Sequence, residues 1–78
     1  MKVTIPERLN GLREDYEPPL NQTELGKILH KSQKAISRLE TGEVHLQDVD
    51  IIAYCKFFKV SADYILGLTD KKGNKIKN

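Results

Sequence analysis

The stretch that most constrains this chain is NQTELGKILHKSQKAISRLETG, from Asn21 to Gly42. Asn21 stands just before the apolar stripe Leu25, Ile28 and Leu29. Glu24 occupies the position from which a capping box closes. Ser32 precedes a second stripe, Ile36 and Leu39 with Ala35 beside them, in the same way. Gly42 sits where a glycine commonly ends a helix. The spacing predicts two short amphipathic helices, Gln22 to Leu29 and Gln33 to Glu40, joined by a tight turn at His30 and Lys31.

The flanks read as support for that unit. Thr4, Pro6 and Glu7 make a helix start, because proline in the first turn loses no hydrogen bond and Glu7 completes a capping box with Thr4. Ile5, Leu9, Leu12 and Tyr16 recur at helical spacing. They predict a first helix from Ile5 to Tyr16, stopped by Pro18 and Pro19. After a connecting loop, Glu43 to Leu46, a fourth helix is expected from Gln47 to Phe58. Its inward face would carry Ile51, Ile52, Tyr54, Cys55 and Phe58. Ser61 caps a short fifth helix, Ala62 to Leu66, in which Tyr64, Ile65 and Leu66 pack. The expected fold is all-α, a five-helix bundle, with residues 1–69 as one domain. Residues 70–78, DKKGNKIKN, have no packing pattern and are expected to form a flexible lysine-rich tail.

Charge distribution says more than net charge. The balance is only +2, too small by itself to argue for a polyanionic partner. Yet Lys27, Lys31, Lys34 and Arg38 fall together in the central unit with no acid among them, and four lysines lie in the tail. Acids cluster instead at Glu14, Asp15 and Glu17 and at Glu40, Glu43, Asp48 and Asp50, and read as helix-terminal and solvated charges. One cysteine, Cys55, excludes an intramolecular disulfide, fits a reducing cytoplasm and reads as core. No apolar run approaches the ~18 residues of a membrane span. His30 and His45 have no ligand partners at metal spacing. No phosphate-binding glycine loop and no nucleophile–base pair is present. Neither a cofactor nor an enzymatic activity is expected.

Within the central unit two features carry function. Gly26 lies inside a helix, where glycine costs about 1 kcal/mol against alanine. Close approach of the two helices gives it a reason to be there. On the second helix, Gln33, Lys34, Ser37 and Arg38 lie opposite the apolar stripe and face outward. Arginine and lysine match guanine edges, glutamine matches adenine, and serine pairs with either bases or phosphate.

Four segments in this order, RLNGLRE (Arg8 to Glu14), NQTELG (Asn21 to Gly26), SQKAISRLETG (Ser32 to Gly42) and FKVSADYILG (Phe58 to Gly67), resemble the phage-repressor helix-turn-helix family. This is the Cro and C1 type, also called XRE. The resemblance spans Leu9 to Leu68 and implies a lambda-repressor-like domain that binds double-stranded DNA. It implies base readout by Gln33, Lys34, Ser37 and Arg38. It implies phosphate contact by Gln22 at the start of its helix, where free N–H groups attract an anion. Thr23, Lys27, Lys31 and Thr41, and Lys2 in the N-terminal arm, are weaker phosphate candidates. Arg13 and Glu40 match the family's structural pair between the first helix and the end of the third. The chain departs from the family in extra residues within Tyr16–Leu20, and in having His30 and Lys59 where glycines are common. His30 must then accept or avoid a positive φ.

The implied function is a sequence-specific transcriptional regulator, a repressor, that inserts the helix 33–40 into the major groove. A homodimer on a near-palindromic operator is expected, with Val44, Leu46, Tyr64 and Leu68 as interface candidates. The competing reading is an antitoxin or protein-binding adaptor built on the same fold.

Overall fold

Among the described residues, four serine, threonine or asparagine side chains start four of the five helices. In the computed structural model, which describes residues 4–70 and 73–75, Thr4, Asn21, Ser32 and Ser61 each accept from the backbone N–H three residues on. These caps begin α1 (Ile5–Asp15), α2 (Gln22–Leu29), α3 (Gln33–Thr41) and α5 (Ala62–Ile65). The remaining helix, α4 (Asp48–Phe58), opens differently. Gln47 donates its backbone N–H to Asp50 Oδ2 at 3.0 Å, so the acid reaches back to the helix start. Each such bond satisfies a donor that the first helical turn would otherwise leave open.

The helix ends follow equally local causes. Tyr16 ends α1 in an extended conformation ahead of Pro18 and Pro19. His30 ends α2 at φ 59° and Lys59 follows α4 at φ 57°, both left-handed, and Gly42 ends α3 at φ 82°. The two non-glycine residues therefore adopt the conformation in which glycine is common. Beyond α5, Thr69 and Lys75 form an isolated antiparallel bridge. Inside it, Asp70 N–H donates to Asn74 O at 2.9 Å and Gly73 N–H to Asp70 O at 3.0 Å. Lys75 of the lysine-rich segment is thus paired back on Thr69. Residues 71, 72 and 76–78, and Lys2, lie outside the described residues.

One residue or two from each helix makes the core: Leu9 and Leu12 of α1, Leu25 of α2, Ile36 and Leu39 of α3, Tyr54 of α4 and Ile65 of α5. Tyr16 stacks on Phe57 with centroids 5.0 Å apart, which seals the far end of α1 against α4. Three expectations fail here. The sequence pattern places Ile52 and Leu66 inward, yet they are 52% and 41% exposed. Asp50, grouped with the solvated acids, is buried. For Ile52 and Asp50 the reason is one rotation of α4, whereas Leu66 lies just past the end of α5. With Asp50 and Tyr54 inward on α4, the residue two places from each, Ile52, turns outward at 100° per residue.

Candidate nucleic-acid interface

The paired helices α2 and α3 are brought together by the absence of a side chain at Gly26. A Cβ there would lie 2.5 Å from the backbone oxygen of Lys31. Into that space the turn folds back, and Lys31 donates its N–H to Gly26 O at 2.7 Å. His30, in the left-handed region, makes the reversal. Glycine at this position is therefore required by contact with the turn itself.

Burial of Ile36 and Leu39 fixes the rotation of α3. Gln33, Lys34 and Arg38 are exposed in consequence, and Ser37 is half-buried beside them. Thr23 and Lys27 on α2 and Thr41 at the end of α3 are exposed, and Gln22 is half-buried. The structure brings Gln22 and Gln33 into direct contact. Gln33 Nε2 donates to Gln22 Oε1 at 2.6 Å, and Gln22 Nε2 donates to Glu40 Oε1 at 3.1 Å. Glu40 in turn accepts from Arg13, Nε to Oε2 at 2.8 Å and Nη2 to Oε1 at 2.9 Å.

Arg13 is the hub of this chain of bonds. Its Nη1 donates to Leu20 O at 2.9 Å and its Nη2 also donates to Asn10 Oδ1 at 2.7 Å. One guanidinium thus joins α1, the loop before α2, and α3. Its side chain is 13% exposed and that of Glu40 is 4% exposed. The hydrogen bond to Glu40 raises the Arg13 pKa further above its ordinary range, against the lowering effect of burial. Both charges are therefore held in place. An ionised Glu40 only accepts, so the Gln22 amide must turn its nitrogen to Glu40 and its oxygen to Gln33. The orientation of Gln33 is thereby tied to the buried ion pair between α1 and α3.

Two further ion pairs flank the face. Arg38 Nε lies 3.1 Å from Glu43 Oε2, with both side chains well exposed. Lys31 is half-buried, and its ammonium pairs with Asp50 Oδ1 on α4. The sequence pattern does not mark Glu43 and Asp50 as parts of the site. Only their partners' cationic character hints at them, because the contacts join residues that sequence patterning treats separately. Tyr54 lies under the same region, fully buried, and burial pushes its pKa above the ordinary tyrosine range, with the negative charges of Glu40 and Asp50 adding to the effect. Its hydroxyl has no hydrogen-bond partner among the described residues.

The expected self-association residues are distributed unevenly. Val44 and Leu46 line one apolar groove with Ile5, Pro6, Leu9, Leu39 and Leu66. Val44 and Leu68 are exposed. Tyr64 is half-buried beneath Arg8, whose guanidinium lies 4.6 Å from the ring centroid. No group of three His, Cys, Asp or Glu side chains suited to a metal ion occurs among the described residues. Burial raises the Cys55 thiol pKa. None of the helices among the described residues is long and apolar enough to cross a membrane.

Comparison with known proteins gives one family and one solved structure. A helix-turn-helix family model, HTH_3, matches residues 20–65, more than half of the chain. No curated protein matches. Among solved structures, the chain is similar to the P22 c2 repressor protein, in a crystal structure with synthetic operator 9T in the presence of Tl+. Identity is 29% and the TM-score is 0.73, over 83% of this chain and 96% of that one. The matched residues 20–65 take in α2, α3, α4 and α5, and the chain belongs to the HTH_3 family of Cro/C1-type helix-turn-helix domains.

Proposed function

We propose that this protein is a sequence-specific double-stranded DNA-binding transcriptional regulator, acting as a repressor in the cytoplasm. It reads the major groove with α3. Gln33, Lys34, Ser37 and Arg38 face base edges, and Gln22, Thr23, Lys27 and Thr41 lie toward the phosphates. The observation that carries this reading is the Gln22–Gln33 pair at the paired helix starts, oriented by Glu40 and Arg13. Free N–H groups at the α2 N-terminus suit a phosphate, and an aligned glutamine amide suits adenine. The similar P22 c2 repressor is itself seen with an operator, which supports the same class of partner here.

One domain offers few base contacts, so the working unit is a homodimer on a near-palindromic site. Two copies would use the apolar groove at Val44 and Leu46 and the exposed Leu66 and Leu68. No catalytic chemistry or cofactor is assigned.

The test is binding to random-sequence duplex DNA across salt. Binding should be detected at low salt and should fall steeply as salt rises, because counterions released from phosphates drive it. Absence of binding at low salt would turn the reading toward a protein-binding module.

A further inference from the structure

We infer that Lys31 and Asp50 form a positioning pair that sets the docking angle of α3, and that Lys31 does not serve as a phosphate contact. The inference rests on the reading of α3 as the groove-binding element. Lys31 is the last residue of the turn before α3, since Ser32 is already the cap. Its main chain is pinned from one side. Its N–H donates to Gly26 O, and its own carbonyl oxygen fills the space that a Cβ on Gly26 would need. Its side chain is pinned from another side, where its ammonium meets Asp50 on α4.

Asp50 is built for that role. Its side chain is 5% exposed. Oδ2 is occupied by the N–H of Gln47, so Oδ1 is the oxygen left to receive a cation. A carboxylate this deeply buried needs a hydrogen-bonded or ionic partner, and Lys31 supplies the charge. The ammonium is therefore directed toward α4. Gln33, the first reading residue, is two positions beyond Lys31. A change of backbone angle at Lys31 would swing the α3 N-terminus and with it the Gln22–Gln33 contact. The pair ties that swivel point to α4, as the Arg13–Glu40 pair ties the other end of α3 to α1.

The test uses the full chain, a preferred site selected from random duplexes, and an unselected duplex of equal length. Affinity for both is measured across salt, well below each variant's melting midpoint. Lys31→Met and Asp50→Asn should each weaken the selected site about tenfold. Binding to the unselected duplex should change by less than about twofold, and the salt slope should stay unchanged. Their double variant should lose no more than Lys31→Met alone, because one interaction is removed twice. Lys31→Arg, which keeps the charge, should retain selectivity. Should Lys31→Met fail to fold, Asp50→Asn and Lys31→Arg carry the comparison.

A different pattern would overturn the inference. If Lys31→Met weakened both duplexes alike and reduced the salt slope by about one, with Asp50→Asn silent, Lys31 would be a phosphate contact. Unchanged selectivity in every variant that binds would also overturn it, as a purely structural pair would behave that way. A wild-type chain that binds neither duplex overturns the inference together with the reading beneath it, and is told apart because the unmodified protein itself fails.

Discussion

Glu40 Oε1 accepts from two residues at once, Arg13 Nη2 at 2.9 Å and Gln22 Nε2 at 3.1 Å. Through that oxygen the buried ion pair is bonded to Gln22, and through Gln22 to Gln33, on the proposed reading face. Glu40→Ala should therefore act on stability and on recognition together. Loss of one partner leaves Arg13 buried and uncompensated, a cost of ~3–5 kcal/mol. A domain of this size loses about 4–8 °C of Tm per kcal/mol, so calorimetry should show a fall of more than about 10 °C. A smaller fall, within a few degrees, would mean that the pair contributes little.

Gly26→Ala should destabilise despite the better helix propensity of alanine. Propensity favours alanine by about 1 kcal/mol, but the added Cβ meets a backbone oxygen at 2.5 Å. The turn must move to admit it. Chemical denaturation should show a lower midpoint, and the operator affinity of the folded fraction should drop as α3 shifts. A raised midpoint would contradict the close approach of α2 to the turn.

Tyr54→Phe should leave the fold intact and stabilise it by about 1 kcal/mol, since a buried unpaired hydroxyl is removed. The variant should also change the response to alkali. The folded pKa of Tyr54 is raised by burial above the unfolded value near 10. Stability from the neutral phenol is then fully present below about pH 10 and is lost as pH rises from there toward the folded pKa. Melting midpoints between about pH 9 and pH 11 should decline less in Tyr54→Phe than in wild type. Equal declines would assign the alkaline loss to other groups.

Much of this was legible in the sequence, and the rest was not for identifiable reasons. The caps at Thr4, Asn21, Ser32 and Ser61 join residues three apart, so local sequence is enough to find them. The outward direction of Gln33, Lys34 and Arg38 follows from the burial of Ile36 and Leu39 on the same short helix. By contrast, the burial of Asp50 depends on Lys31, a partner in another element. The helix DVDIIAYCKFF is apolar on several sides, so its pattern does not fix which side faces inward, and Ile52 was assigned to the wrong one. The resemblance carried Arg13 and Glu40 as a pair. The onward bonds to Gln22 and Gln33 needed atomic positions.

Arg38 and Glu43 offer a test of the reading face in which stability is not at issue. Their ion pair is exposed on both sides and contributes little to folding. Glu43→Gln should leave Tm within a few degrees and free Arg38 for DNA, raising affinity severalfold at low salt and less at high salt. Arg38→Ala should relax the preference at particular base pairs. If Arg38→Ala instead weakened every sequence equally, Arg38 would be a phosphate contact.

In the proposed function α3 reads a duplex as part of a twofold pair. Selection of bound sequences from a random DNA pool by the full chain tests this directly. The predicted result is a near-palindromic consensus with half-sites about one helical turn apart, ~34 Å, whose preference at one base pair is lost in Gln33→Ala. Recovery of no enriched sequence, or of a consensus that Gln33→Ala leaves unaltered, would contradict it.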